Sequence, residues 1–174
     1  LREGAPLGIN RPVLSAGIFP SVPDEPVSSE YVAGLARTPT GWENYRSADE
    51  DPATATTLLE RMVDQDWAEA YSHWDEVTRS LGDGVVLNKL ALLSKTKNDG
   101  TVKHRLVWDL RRSGVNLAVK QGERVVLPRL SDVVADLREL AAPGGDEAFM
   151  LGTDVSEAFH QVPLHMSERQ FTVA

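Results

Sequence analysis

The sequence predicts an α+β fold, because helical and strand periodicities occupy separate stretches of the chain. Leu58, Leu59, Met62 and Val63 recur at helical spacing, and Val133, Val134, Leu137 and Leu140 do the same further on. Between them, two apolar runs flank Lys97-Asn98-Asp99-Gly100-Thr101, and Asp-Gly between such runs is a hairpin signal.

The elements follow in order. Residues 1–50 are rich in Pro, Ser and Gly, and Pro6, Pro12, Pro20, Pro23, Pro26 and Pro39 prevent long helices. This stretch is expected to be an extended arm, ordered only against the rest of the protein. Residues 51–84 form a small helical element. Asp51-Pro52 supplies an N-cap and a first-turn proline, and a second helix over Ser72–Leu81 sets Trp74, Val77 and Leu81 on one face before Gly82. Residues 85–127 turn to β: Val85–Leu87 and Lys89–Leu93 as one strand or two ending near Ser94, then a return strand over Val102–Leu110. Residues 113–127 are expected to be irregular. In 128–174, Ser131 caps a helix from Asp132 to Ala141 whose apolar stripe is buried, and Pro143-Gly144-Gly145 ends it. A short strand around Phe149, a turn through Phe159, and extended pieces at Gln161–Leu164 and Gln170–Val173 complete the chain.

Composition excludes some functions. In 174 residues there is no apolar run of the ~18 needed to span a membrane as a helix. With no cysteine there are no disulfides and no thiolate metal sites. His73, His104, His160 and His165 lack paired ligand spacing and are read as surface or half-buried residues. Leu1-Arg2-Glu3-Gly4 shows no signal-peptide pattern, so an intracellular location, cytoplasm or nucleus, is expected. The net charge of −8 argues against nucleic acid until its distribution is read. From Lys89 to Arg129, Lys89, Lys95, Lys97, Lys103, Arg105, Arg111, Arg112, Lys120, Arg124 and Arg129 face only Asp99, Asp109 and Glu123. Such a local excess suits a surface that tracks phosphates, though a merely solvated basic hairpin has the same composition.

Thr153-Asp154-Val155-Ser156-Glu157-Ala158-Phe159 carries the most chemistry. A strand over Ala148–Leu151 would deliver one carboxylate on rigid backbone, followed by an acid three residues on, a small residue and an aromatic. A metal-dependent phosphoryl-transfer site needs such a carboxylate with open space beside it. An Asp in this setting also serves as a turn former or helix cap.

Three segments then resemble one family in order and spacing. Leu92-Leu93-Ser94-Lys95-Thr96-Lys97-Asn98-Asp99-Gly100-Thr101, with His104-Arg105-Leu106-Val107-Trp108-Asp109-Leu110-Arg111 and Asn116, resembles the fingers hairpin of retroelement reverse transcriptases. Leu127-Pro128-Arg129-Leu130-Ser131-Asp132 is similar to the segment leading into their first palm helix. Leu151–Leu164 resembles their first catalytic palm motif, and Ala5-Pro6-Leu7-Gly8-Ile9 is similar to the arm before the fingers in some members. The resemblance covers residues 88–174 and implies a partial fingers and palm fold, with antiparallel palm strands and helices on one face.

It also implies RNA-directed DNA polymerase activity by two-metal catalysis on an RNA or DNA template with primer and deoxynucleoside triphosphates, with no membrane partner. Asp154 and the Val155 carbonyl would face a pair of Mg2+ ions, which Mn2+ could replace. Lys97, with Lys95 as its substitute, and Arg105 would hold the triphosphate, assisted by backbone amides of Ser156, Glu157 and Ala158. Phe159 would pack beneath the sugar and reject a ribose, or else be plain core. Lys95, Lys103, Arg112 and Arg129 would contact template backbone or face solvent, while Asp109 and Arg111 would shape the fingers.

Two departures matter. Ser113-Gly114 stands as an insertion relative to familiar retroviral members, and the paired-aspartate Tyr-x-Asp-Asp motif is not in these residues. The chain is therefore expected to be a fragment, inactive alone and prone to aggregate through an unpaired sheet edge. The alternatives are a degraded, non-catalytic remnant that binds nucleic acid, and an unrelated interaction domain whose acidic first half binds a basic partner.

Overall fold

Asp51 and Pro52 start the best-formed helix as their chemistry dictates. Asp51 accepts the Thr54 amide at 3.1 Å, and proline opens α3 (Pro52–Asp64). The computed structural model describes residues 3–23, 27–36, 39–141 and 151–174. Before α3 lie two short helices, α1 (Ser29–Ala33) and α2 (Arg46–Glu50). After it come α4 (Trp74–Leu81), strands β1 (Lys89–Thr96) and β2 (Val102–Asp109), α5 (Val115–Ala118), α6 (Leu130–Leu140) and a 3-10 helix over Met166–Phe171. The result is a small α+β fold with one two-stranded antiparallel sheet among the described residues. No helix among them is long and apolar enough to cross a membrane.

The hairpin register pairs Lys89 with Asp109 at the root and Thr96 with Val102 at the tip. β1 runs two residues further than expected, because the Lys97–Thr101 turn closes directly on it: Lys97 N–H donates to the Thr101 carbonyl at 2.8 Å. The outer edge of β1 is capped rather than bare. Asn44 Oδ1 accepts the Leu90 amide at 2.9 Å, Ser47 Oγ accepts that of Leu92 at 3.2 Å, and Tyr45 N–H donates to the Leu90 carbonyl at 2.9 Å. These bonds protect that edge from pairing with another chain.

The core lies elsewhere, where the two ends of the chain meet its middle. Leu35, Val86, Val115, Ala118 and Phe171 form one buried cluster, and Leu7, Ile9, Val27, Val32 and Leu110 pack against it. The arm is thus part of the fold. Ala5 bridges Leu164, Val13 bridges Gln121, and Ser21 bridges Glu123. Gly4 has φ +87°, and an added Cβ would stand 2.6 Å from the Leu164 backbone, so only glycine lets the arm lie this close.

Buried polar groups tie the same region together. Glu168 is fully buried and accepts the amides of Asn10 at 3.0 Å and Arg11 at 2.8 Å, with Ile9 at 3.4 Å. Asn88 donates from Nδ2 to the carbonyls of Phe171 and Val173, both at 2.9 Å, and of Val86 at 3.2 Å. Its Oδ1 accepts the Ser113 hydroxyl at 2.5 Å. These bonds satisfy groups whose burial would otherwise cost about 1–3 kcal/mol each.

Several expectations need correction. Residues 113–127 are not wholly irregular: α5 contributes Val115 and Ala118 to the core. Gly114 has φ +90° at its start, a conformation that favours glycine. The N-cap of α6 is Arg129, not Ser131, because Asp132 reaches back to the Arg129 amide at 2.7 Å. The stripe of α6 is not buried. Val133 and Leu137 are half-buried, while Val134 and Leu140 are exposed, so periodicity marked a face that the described residues leave uncovered. Val63 of α3 is likewise exposed. Val85–Leu87 are buried without forming a ladder; Leu87 only bridges Val173. Residues 170 and 171 belong to the 3-10 helix, so the last extended piece shrinks to its final residues. Among the described residues of 128–174 there is no sheet like the expected palm. The Phe149 strand and the Pro143-Gly144-Gly145 stop lie outside the described residues.

Candidate nucleic-acid interface

Strand alternation sorts the hairpin into two faces. Leu90, Leu92, Leu106 and Trp108 share the inner face, with Leu90 and Leu92 buried. Further out on it, Ser94 Oγ and His104 Nδ1 are hydrogen-bonded at 2.8 Å. The outer face carries Lys89, Ala91, Leu93 and Lys95 from β1, and Lys103, Arg105, Val107 and Asp109 from β2. Lys95 stands directly opposite Lys103, and Arg105 directly opposite Leu93. Like charges directly across an antiparallel pair are destabilising. Three cations so close together are therefore costly in isolation and favourable only beside an anion.

No internal anion answers them. Among the described residues, the side chains of Lys95, Lys97, Lys103, Arg105, Arg112 and Arg129 make no ion pair or hydrogen bond, and all six residues are exposed. Lys97 opens the turn, whose shape is fixed by Asp99 accepting the Thr101 amide at 2.9 Å and hydroxyl at 2.6 Å. Those two bonds, the hydroxyl first, hold the Asp99 carboxyl below its ordinary range.

At the root of the hairpin, Asp109 organises the exit turn. It accepts the Tyr45 hydroxyl at 2.5 Å and the amides of Arg112 at 2.9 Å and Arg111 at 3.1 Å. The Tyr45 hydroxyl, then the backbone donors, depress its pKa, and the same bond raises that of Tyr45. An open groove runs beside this turn along the outer face, lined by Leu93 and Val107 at its floor and by Tyr45, Arg46 and Arg111 at its sides. An apolar floor suits the sugars of a nucleic-acid chain and Arg111 suits a phosphate, whereas Arg46 is paired with Glu50 at 2.7 Å and Asp109 also lines the groove.

The Asp154 segment sits apart. Residues 151–159 are exposed, and Phe159 is 97% exposed, so it is not core. Glu157 has φ +52° and turns its carboxylate towards α3, 3.9 Å from Arg61 and 3.3 Å from His160 Nδ1. The His160 ring stacks on Trp67 with centroids 4.8 Å apart and an interplanar angle of 11°, and Arg61 lies 6.0 Å over the same indole. The segment thus docks at the C-terminal end of α3. The same helix also packs against β2. A helix of 13 residues is about 20 Å long. No hydrogen bond, ion pair or ring contact joins residues 151–159 to the hairpin among the described residues.

Lys95, Lys103 and Arg105 are therefore brought together, with Lys97 in the adjoining turn, while Asp154, Val155, Ser156, Ala158 and Phe159 are not brought to them. Magnesium needs several hard oxygens held together. Among the described residues no three of His, Asp and Glu gather in that way, and Glu157 already faces Arg61 and His160. Asp154 and the Val155 carbonyl by themselves supply too few oxygens to hold two magnesium ions.

Sequence reasoning passed over Tyr45 and Arg46. Their only signal was a Tyr-Arg pair closing a proline-rich arm, and nothing in that pattern announces an edge cap on a distant strand. Comparison of the chain with protein-family models, with curated proteins and with solved structures finds no match.

Proposed function

We propose that the outer face of the β1–β2 hairpin binds the phosphate backbone of a nucleic acid, and that residues 88–174 correspond to the fingers and opening palm of a retroelement RNA-directed DNA polymerase. One observation carries the first part: Lys95, Lys103 and Arg105 share one exposed face and make no ion pair among the described residues. The second part is supported by the ordered resemblance of three segments and by the retention of Arg105, Asp154 and Phe159.

In this reading template and primer lie along the hairpin, and Lys97 with Arg105 meets the triphosphate of an incoming deoxynucleotide. Arg112 and Arg129 extend the cationic track. Asp154 is one carboxylate of a larger metal-binding set, Phe159 is the sugar-facing ring, and the amides of Ser156 to Ala158 approach the triphosphate. These 174 residues hold too few of those carboxylates and are proposed to bind without polymerising.

The test is binding of a fluorescent primer–template to the chain at low and moderate salt. Lys97→Ala combined with Arg105→Ala is expected to weaken it about tenfold or more, because each removes a cation that would pair with a phosphate. Unchanged binding would remove the interface and with it this reading. The remnant alternative shares the interface; it is separated by whether primer extension appears when the missing carboxylates are supplied on a longer polypeptide.

A further inference from the structure

A second cleft is lined by the Trp42–Asn44 segment, the start of α4, Leu87 and Asn88, and Val173 and Ala174. Its walls are Trp42, Tyr71 and Trp74, its floor includes Val77 and Leu87, and its volume is about 280 Å3. Val77 and Leu87 are buried, whereas the three rings are half-buried and keep part of their surface open to solvent. The Lys89 ammonium lies 5.1 Å over the Trp42 ring, which places a cation at the cleft wall.

We infer that this cleft takes an unpaired base of a single-stranded nucleic acid whose backbone continues along the hairpin. The inference rests on the proposed hairpin interface. Three features select this occupant. The volume is near the lower limit of small-ligand sites, roughly 300–1,000 Å3, so it admits one flat ring and excludes a duplex. Every base offers a π-face to an aromatic wall, and cations near such walls hold the backbone in single-strand sites. Lys89 also links the Trp42 wall to the cationic face: it shares the outer face of β1 with Lys95, which at about 3.3 Å per residue stands roughly 20 Å along the strand. That span suits the ~4 or more nucleotides that a single-strand groove covers. Of the carboxylates near the rings, Glu69 and Glu76 are turned to internal partners, whereas Glu43 and Asp75 are exposed. Glu69 is paired with Arg169 at 2.6 Å and accepts the Tyr71 hydroxyl at 2.8 Å, and Glu76 accepts the Ser72 amide at 3.0 Å.

The experiment compares a fluorescent oligo-dT 12-mer with a blunt duplex of equal length on the whole chain. Trp42→Ala and Tyr71→Ala are each expected to weaken the single strand about tenfold and to leave the duplex unchanged, with Trp42→Phe restoring most of the loss. Equal single-strand affinity in Trp42→Ala and the parent chain would overturn the assignment. If the alanine variants fail to fold, tryptophan emission of the parent chain decides. A saturable quench by the 12-mer that shrinks in Trp42→Phe supports the cleft, and no quench overturns it. Quenching by an apolar peptide but not by the 12-mer would give the cleft to a protein partner and likewise overturn it. Lys95→Ala with Lys103→Ala must weaken both ligands; if it weakens neither, the hairpin reading itself has failed, whatever the rings do.

Discussion

Two sets of polar residues behave in opposite ways. Glu168, Asn88 and Ser113 are buried and bonded to partners from distant parts of the chain. Residues 151–159, which carry the recognisable chemistry, are exposed, and only Glu157 among them is drawn to a neighbour, at one end of α3. The contrast teaches that motif chemistry and structural necessity are separate signals. A carboxylate that holds a fold together looks unremarkable in sequence because its partners are main-chain amides, which nearly every residue has. A carboxylate in a motif is conspicuous because its neighbours are unusual.

The comparison breaks if the buried set is dispensable. Glu168→Ala leaves the amides of Asn10 and Arg11 without their acceptor in a buried site, and a loss of about 3 kcal/mol is expected in urea unfolding. Asp154→Ala, by contrast, should leave stability within about 0.5 kcal/mol, as surface changes do. A smaller but clear effect should follow from Gly114→Ala. Its φ is +90° and the new Cβ would meet Leu35 Cδ2 and the Tyr31 hydroxyl, each at 2.9 Å. A cost of about 1–3 kcal/mol is therefore expected in the same unfolding assay. A neutral result there would show that the turn accommodates a side chain at Gly114.

Much of the framework was legible. Asp51-Pro52, the Asp99-Gly100 turn and the alternation on either side of it each depend on neighbouring residues, and local chemistry settles them. What was not legible depends on partners far apart in sequence. The arm bridging residues 121, 123 and 164, the capping of β1 by residues 44–47, and the burial of Glu168 have no local signature. The stripe of α6 failed for the complementary reason: a 3.6-residue period shows which face would be buried, not whether anything lies against it. At the site, the grouping of Lys95, Lys103 and Arg105 followed from strand alternation. The docking of the Asp154 segment elsewhere did not, because it is set by the Trp67–His160 stack and the Glu157–Arg61 approach at the end of α3.

The Tyr45–Asp109 bond sharpens the contrast through pH. Asp109 titrates below its ordinary value in the folded chain, so its contribution is complete above the unfolded pKa of about 4 and is lost as pH falls through the folded value. Tyr45 titrates above its ordinary value, so its share is complete below about pH 10 and is lost as pH rises further. Thermal unfolding of Tyr45→Phe should therefore differ from the parent chain by a constant amount between those limits, and the gap should narrow beyond either one. A gap that widened in acid would contradict the assignment. The smallest effect is expected at Leu140, which is 59% exposed: Leu140→Ser should change stability by less than about 0.5 kcal/mol.

The central claim is that the hairpin face meets phosphates, and the salt dependence of primer–template binding tests it most directly. In the parent chain, log K should fall linearly with log salt concentration. Replacing Lys95, Lys97, Lys103 and Arg105 by Ala should make that slope shallower by roughly 0.9 for each duplex phosphate that the variant no longer neutralises. A slope that stays the same when all four cations are gone would contradict the account.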